Sequence, residues 1–390
     1  MVASLGRQRR LNAGLALPSS LDVICASHLR WNFVYQRPQH LLTRCGAERR
    51  VFYVEEPIVG GDEARLDRRD VGSGVTVCEP HVPDGTDAAA ASVLQRLLVD
   101  LLIETERIER YLLWYYTPMA LEFTRHLAPE AIVFDCMDDL AGFDFAPERL
   151  RDLEAELLDR ADVVFTGGRS LYDARRSLHP NVHLFPSSVD VEHFARARLS
   201  GRDPEDQREI SSPRIGFYGV IDERLDLALL EAIAAARRDW QFVLVGPVIK
   251  VDPADLPRAE NVHWLGRKDY EVLPRYLSGW DVATMPFARN RSTRFISPTK
   301  TLEYLAGGKP VVSTSIRDVV HPYGEDGLVR IADDAQSWIA AIEDAMQEDA
   351  GERARRAAEA LDRTSWDRTW EAMSGHIARV TDSASAPGAA

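Results

Sequence analysis

Residues Ser297 to Ser313, SPTKTLEYLAGGKPVVS, put the most chemistry into the shortest stretch of this chain. The segment reads as a helix with both ends marked. Ser297 is placed as the N-cap, Pro298 occupies the first helical position where a missing N–H costs nothing, and Gly307-Gly308 stops the helix. Lys309-Pro310-Val311-Val312 then enters a short apolar strand. Lys300 is out of place in such a helix, because free N–H groups and the positive end of the dipole favour an anion in the first turn. A cation there makes sense if an external anion, such as a phosphate, rests over the helix start at Ser297, Pro298 and Thr299. Glu303, one turn on and on the same face, can accept hydrogen bonds from a pair of sugar hydroxyls. A phosphate reader beside a hydroxyl reader is what a sugar nucleotide requires. The competing reading is a surface Lys300–Glu303 pair at i,i+3, worth only about 0.2–0.5 kcal/mol.

Sugar transfer from a nucleoside diphosphate develops negative charge on the leaving diphosphate, which cations or helix starts must stabilise. Arg224, in the loop that follows the Gly219 turn, joins Lys300 as a candidate for that charge. If the acceptor hydroxyl needs a base, the cluster Asp135-Cys136-Met137-Asp138-Asp139 supplies carboxylates at a strand end, and neighbouring carboxylates raise one another's pKa. Asp138 is the preferred member. The alternative is that Asp139 or Asp144 caps a helix and Asp135 satisfies loop amides. His28, in the loop after the first strand, is a second candidate for base or hydrogen bonder, although a lone loop histidine is more often neither. Arg37, before Pro38 at a helix start, is another cation where an anion would be welcome, either the donor diphosphate or an acceptor phosphate. Trp31, Tyr35 and Gln36 belong to the same loop, where the aromatics either stack on sugar faces or pack the loop. Gly167-Gly168 marks a turn that lets backbone approach closely, and Gly246-Pro247 either borders the nucleobase or is a plain turn.

The elements that must hold these residues follow a strand-then-helix rhythm, twice over. Apolar strands are predicted at 21–26, 50–54, 111–115, 131–135 and 162–166, and helical periodicity at 38–42, 88–109 and 147–159. The theme restarts with strands at 214–219, 240–246, 262–265, 280–285 and 309–314 and a helix at 227–237. Alternation of this kind predicts α/β architecture with doubly wound parallel sheets. At 390 residues, two domains are expected. A net charge of −14 with no basic domain argues against nucleic-acid binding. No apolar run reaches membrane-spanning length. Cys25, Cys45, Cys78 and Cys136 form no CxxC pair and fit reduced, buried thiols. No HExxH or comparable ligand cluster is present, so no metal is expected. There is no GxGxxG and no P-loop, which weighs against a nicotinamide dehydrogenase and an NTPase.

Four segments together resemble the GT-B glycosyltransferases and keep that family's order: FISPTKTLEYLAGGKPVVST; PSSVDVEHF (186–194); NVHWLGRKDYEVLPRYLSGWDVATMPF (261–287); and Ser365-Trp366 opening a terminal helix. The loop Trp31-Asn32-Phe33-Val34-Tyr35-Gln36-Arg37-Pro38 and the Ser-Pro-Thr-Lys helix look like those of bacterial transferases tied to exopolysaccharide or cell-surface glycan assembly. The resemblance implies two Rossmann-like domains facing a cleft. The expected division is a lead-in at 1–19, an acceptor-side domain at 20–195, a linker at 196–212, a nucleotide-sugar domain at 213–365, a helix at 366–381 returning to the first domain, and a tail at 382–390. It also implies a metal-independent hexosyltransferase using a UDP-sugar first and GDP-mannose second. Its partners would be that donor and a glycan, lipid-linked or small-molecule acceptor, with a cytoplasmic location and peripheral contact at the inner membrane face. Glu303, Lys300, Ser297, Pro298, Thr299, Arg224 and Gly219 would serve the donor, Asp138 and His28 the chemistry, and Arg37, Trp31 and Gln36 the acceptor side. Two departures stand out. Phe295 occupies the place of the first of the family's two glutamates, and the Gly219–Arg224 loop lacks the usual Gly-Arg and lysine. These departures leave the stereochemical outcome, retaining or inverting, open, and the missing glutamate gives weight to a non-catalytic binding subunit. The other alternative is a sugar-nucleotide epimerase on the same fold, which would need extra acids and a histidine around the diphosphate that the sequence does not show.

Overall fold

The computed structural model describes residues 21–144, 146–199 and 203–384. The expected lead-in, part of the linker and the tail beyond 384 lie outside the described residues. Within them the chain forms two sheets, one from the first half and one from the second.

In the first sheet the strands are β1 (Asp22–Ala26), β2 (Val51–Val54), β3 (Ile58–Val59), β4 (Arg65–Asp70), β5 (Val75–Val82), β6 (Tyr111–Tyr115), β7 (Ala131–Cys136), β8 (Val163–Thr166) and β9 (Val182–Leu184). They lie in the order β3-β5-β2-β1-β6-β7-β8-β9, parallel throughout, with β4 added antiparallel on β5. Sequence periodicity had not marked the β3–β5 region, because β4, RLDRRD, is mostly exposed and carries no apolar alternation. Every residue of β1 is buried, and successive side chains go to opposite faces of the sheet. Val23 and Cys25 join one core with Leu41 and Leu42 of α1 (Arg37–Gly46), while Ile24 and Ala26 join another with Val99 of α2 (Ala88–Thr105) and Leu157 of α3 (Leu150–Arg160). Helix α2 starts where Asp87 accepts the Ala90 N–H at 2.8 Å. All four cysteines are buried and free.

The second sheet contains β10 (Arg214–Tyr218), β11 (Gln241–Val245), β12 (Val262–Trp264), β13 (Val282–Met285), β14 (Val311–Ser313) and β15 (Arg330–Ile331) in the order β12-β11-β10-β13-β14-β15, all parallel. The helix α4 (Leu227–Ala236) and the helices α5 (Lys300–Ala306) and α6 (Ala335–Met346) pack against it. The terminal helix α7 (Trp366–Ala384) returns to the first half, where Trp366, Trp370, Met373 and Ile377 complete the core that also holds Leu41 and Trp114. Around 196–212, the expected linker is partly helical, with a turn of helix at Glu205–Arg208.

Candidate functional site

Each sheet reverses its strand order once, and at that point the loops after two neighbouring strands diverge and open a crevice at their carboxyl ends. In the second sheet the reversal lies between β10 and β13. The loop after β10 brings Gly219 and Arg224, and the loop after β13 runs to Ser297, Pro298, Thr299, Lys300 and Glu303; all of them line one cavity of about 200 Å³. Gln36, Asp138 and Ser187 of the first half close its other wall.

Gly219 has φ +149°, and a Cβ there would fall 2.3 Å from Lys300 Cε, so only glycine lets the lysine stem cross the end of β10. Lys300 is the first residue of α5, and Thr299, not Ser297, is the N-cap, with no side chain capping the helix. Ser297 and Pro298 precede the helix because Ser297 packs across the cleft against Gly168, where a Cβ would fall 2.7 Å from Ser297 Cβ. The Lys300 ammonium lies 5.7 Å and 6.0 Å from the ring centres of Phe217 and Phe287, and among the described residues it makes no hydrogen bond or ion pair. Burial lowers its pKa, against the pull of Glu303. Glu303 accepts a hydrogen bond from the Tyr218 hydroxyl at 2.8 Å, and burial raises its pKa against the pull of Lys300.

Arg224 lines the cavity, but its charge is already answered. Asp222, itself buried, holds the guanidinium through contacts of 2.9, 3.1 and 2.6 Å. The carboxylate cluster after β7 separates in the same way. Asp135 is taken by Arg37 and Asp139 by Arg175 at 2.9 Å, whereas Asp138 faces the cavity without a side-chain partner among the described residues. Burial pushes the Asp138 carboxyl up to about 6, with Asp222 and Asp139 adding to the rise and Arg224 and Lys300 opposing it. That value suits a group that takes a proton near neutral pH.

Three acceptor-side expectations are corrected in part. Arg37 does not reach the cleft. It is fully buried, forks onto Asp135 at 2.8–3.1 Å and donates to the Phe185 carbonyl at 2.8 Å. Asp135 shares a face of β7 with Val133, the face that α1 covers, and this turns the carboxylate toward Arg37. Trp31 packs the loop. Its ring stands edge-on to Tyr53 at 5.0 Å, and the Trp31 backbone N–H donates to Glu55 Oε1 at 2.7 Å. Gln36 does line the cavity, and its N–H donates to Gln39 Oε1 at 3.0 Å as the start of α1.

His28 lies elsewhere. The first sheet reverses between β1 and β6, and the loops after those strands, with Ser27, His28, Thr117 and Met119, line a second cavity of about 560 Å³. Lys250 of the second half closes it. The Phe143 ring borders this cavity and lies 5.4 Å from both the Arg224 guanidinium and the Lys250 ammonium. Asp138 and His28 therefore face different cavities joined at the segment 137–144. Desolvation lowers the His28 pKa to about 4, so the ring is neutral at neutral pH.

Sequence reasoning missed Tyr218, Asp222, Tyr270 and Lys250. Tyr218 ends the strand before the Gly219 turn, and Asp222 lies two residues before Arg224, so both had a local signal. Tyr270, whose buried hydroxyl has no partner among the described residues and whose ring stacks on Tyr35 at 4.7 Å, had none. Among the described residues, one group could hold a metal ion: Asp67, Glu79 and His81 on the β4–β5 pair, with ligand atoms within 4.8 Å of one another. Arg65 contacts both Asp67 and His81, and none of the three lines either cavity. Among the described residues, no helix is long and apolar enough to cross a membrane.

With that geometry in place, comparison with known proteins locates the chain. Residues 212–348 match the family described as glycosyl transferases group 1. A putative teichuronic acid biosynthesis glycosyltransferase of Bacillus subtilis is 27% identical over 254 residues, taking in 59% of this chain. The match covers 62% of that relative's own length. Among solved structures, a sucrose-phosphate synthase from Thermosynechococcus elongatus superposes with a TM-score of 0.69 at 15% identity, covering 94% of this chain and 100% of the other. HepE of Anabaena, solved with UDP and glucose, gives 0.62 at 13% identity, covering 92% and 99%. The fold is GT-B.

Proposed function

We propose that this chain, a GT-B protein whose second half carries a glycosyl transferases group 1 domain, moves a sugar from a nucleoside-diphosphate sugar to an acceptor hydroxyl. The donor is a UDP-sugar first and GDP-mannose second, and the acceptor is a glycan, a lipid-linked glycan or a small molecule. The observation that carries this reading is Lys300. It is a half-buried lysine whose ammonium has no hydrogen-bond or ion-pair partner among the described residues, beside Glu303, at the strand-order reversal of the second sheet. HepE was solved with UDP and glucose and the Escherichia coli trehalose-phosphate protein with UDP-2-fluoroglucose, which supports a UDP-sugar in the corresponding cleft.

In this reading Lys300 neutralises charge on the leaving diphosphate and Glu303 accepts the ribose hydroxyls. The bond from the sugar's anomeric carbon to the diphosphate oxygen breaks and the bond to the acceptor oxygen forms. Asp138 receives the acceptor's proton. Lys300 carries out this neutralisation without a metal ion. The reading also divides the chain into an acceptor-side domain at 20–195 and a donor domain at 213–365, with the helix at 366–381 tying the second back to the first. Four free cysteines and a sugar-nucleotide donor suit a cytoplasmic location.

A melting panel of UDP-, GDP- and TDP-sugars tests the donor, because a ligand that binds only the native state raises its stability. UDP-sugars should raise Tm most, and transfer should persist in EDTA. No shift with any nucleotide sugar would overturn the reading. Activity lost to EDTA and restored by magnesium would overturn its metal-independent part.

A further inference from the structure

The helix Arg169–Arg175 opens on Gly167-Gly168, just past β8, and its N-cap is Gly168, which has no side chain to cap with. The first N–H groups of a helix need an acceptor, usually supplied by the N-cap residue itself. In this chain the acceptor comes from the other half of the molecule. Asp318, beyond β14, accepts the Ser170 N–H at 3.0 Å and also the Ser170 hydroxyl. Both residues are buried, and the donors that Asp318 has among the described residues are all on Ser170. Glycine at 168 is as necessary to this contact as the acid. A Cβ there would fall 2.4 Å from Asp318 Oδ2 and 2.7 Å from Ser297 Cβ. A serine or aspartate at 168, the usual local cap, would therefore hold the two halves apart. The exposed pair Arg317–Asp173 at 2.7 Å spans the same seam and adds little.

The contact leads to both walls of the donor cavity. On the first-half side, the Gly167 N–H donates to the Cys136 carbonyl at 2.9 Å, and a Cβ at Gly167 would fall 2.9 Å from Met137 Cα. Asp138 is the next residue. On the second-half side, β14 pairs with β13, and the Thr314 hydroxyl donates to the Phe287 carbonyl at 2.8 Å. Phe287 lines the donor cavity beside Lys300. Beyond Asp138, Arg291 of the second half donates to the Ala141 carbonyl at 2.8 Å. The segment that bears Asp138 is thus held from the second half on either side, and Asp318 makes the more deeply buried of the two contacts.

Resting on the transferase reading above, we infer that Asp318 is a positioning residue, which caps the first half's helix from across the cleft and thereby fixes Asp138 opposite Lys300. Asp318 does not line the donor cavity and acts through Ser170 and Gly167. When the halves part, the helix start and the carboxylate lose their partners together, so one set of bonds favours closure. A misplacement of about 1 Å at a reacting centre can cost about a hundredfold in rate. The contact therefore acts on turnover rather than on donor binding, which Lys300 and Glu303 of the second half carry.

The test takes the nucleotide sugar that most raises Tm and measures binding of its nucleoside diphosphate to the full chain. Turnover is followed as that diphosphate released with water as acceptor. Asp318→Ala should slow release about 10- to 100-fold, with diphosphate affinity within about threefold of the wild type. In the same variant, amide exchange should quicken across 168–173 and stay slow in β10 and β14. Asp318→Asn, whose amide oxygen still accepts the Ser170 N–H, should recover most of the rate. Gly168→Ser separates the cap from the closure. It supplies a local cap, so exchange across 168–173 should stay slow, yet its Cβ keeps the halves apart and turnover should fall as in Asp318→Ala. Wild-type turnover in Gly168→Ser would overturn the inference. So would an Asp318→Ala variant that loses helix protection but keeps its rate, and with the diphosphate still bound either result would leave the donor reading standing. A wild-type chain that binds no nucleoside diphosphate would remove the donor reading and this inference with it.

Discussion

Two cations, Arg37 fully buried and Lys300 half-buried, occupy equivalent places in the two halves of this molecule. Arg37 is the first residue of α1 and Lys300 the first residue of α5, and each stands where a helix dipole repels a positive charge. Sequence reading gives both the same explanation, an anion supplied from outside. The structure separates them. Arg37 finds its anion within the chain, in the Asp135 carboxylate and the Phe185 carbonyl, and its planar fork matches that pair. Lys300 finds none among the described residues and lies against two phenylalanine rings at the edge of a cavity. A misplaced charge thus marks a ligand site only where no side chain of the protein answers it. The same test sorts Arg224, held by Asp222, from Lys300, and Asp138 from Asp135 and Asp139.

The largest way to break this comparison is to remove the answered cation. Arg37→Leu strands Asp135 in a fully buried site and should cost about 3–5 kcal/mol of stability in a urea titration. The double variant Arg37→Leu/Asp135→Leu should recover most of that loss, and the folded single variant should bind UDP like the wild type. Weakened UDP binding with little loss of stability would place Arg37 at the ligand after all.

Removing the unanswered cation should do the reverse. Lys300→Ala should lower transfer about 100- to 1000-fold, the range seen when one preorganised electrostatic group is lost. The melting temperature should hold or rise, since the variant no longer buries an uncompensated ammonium. Wild-type donor affinity in this variant would sink the assignment. Asp138→Asn should cut transfer by about a hundredfold and spare UDP binding. The wild-type rate should fall as pH drops through about 6, because a base must be deprotonated to act. The sign for stability is opposite. The Asp138 carboxyl titrates higher in the fold than in the open chain, so it contributes stability at low pH that is lost as pH rises through about 6. The Asn variant should therefore melt at or above the wild type at neutral pH.

Much of the scaffold was legible because buried parallel strands are short apolar runs and each halves-spanning motif sits at a strand end. Lys300, Glu303, Asp138, Gly219 and Gln36 do meet in one cavity. What could not be read was pairing at a distance. Arg37 and Asp135 are 98 positions apart, and nothing local says that β7 will turn that carboxylate toward α1. The start of α5 shifted from Ser297 to Thr299 because contact with Gly168, on the other domain, holds Ser297 outside the helix. His28 and Asp138 were grouped by their chemistry, yet the fold sends the loop after β1 and the loop after β7 to separate cavities.

The smallest expected effect concerns how Glu303 is held. Its carboxylate accepts the Tyr218 hydroxyl at 2.8 Å, and that bond helps keep the acid ionised against the burial that raises its pKa. Tyr218 touches the donor cavity but acts through Glu303, so it is a positioning residue. Tyr218→Phe keeps the ring that packs edge-on to Tyr304 at 4.9 Å and removes only the hydroxyl. One hydrogen bond is worth about 0.5–1.5 kcal/mol, so donor Kd should rise by about two- to tenfold while kcat stays near the wild-type value. The loss should grow as pH falls, because Glu303 without its donor protonates more readily and a protonated acid is a poorer acceptor for ribose hydroxyls. Glu303→Gln should be as weak a binder but show no such pH dependence. If Tyr218→Phe lowers kcat and leaves Kd and its pH dependence untouched, Glu303 acts at the reacting bond, and the division of labour between it and Lys300 must be redrawn.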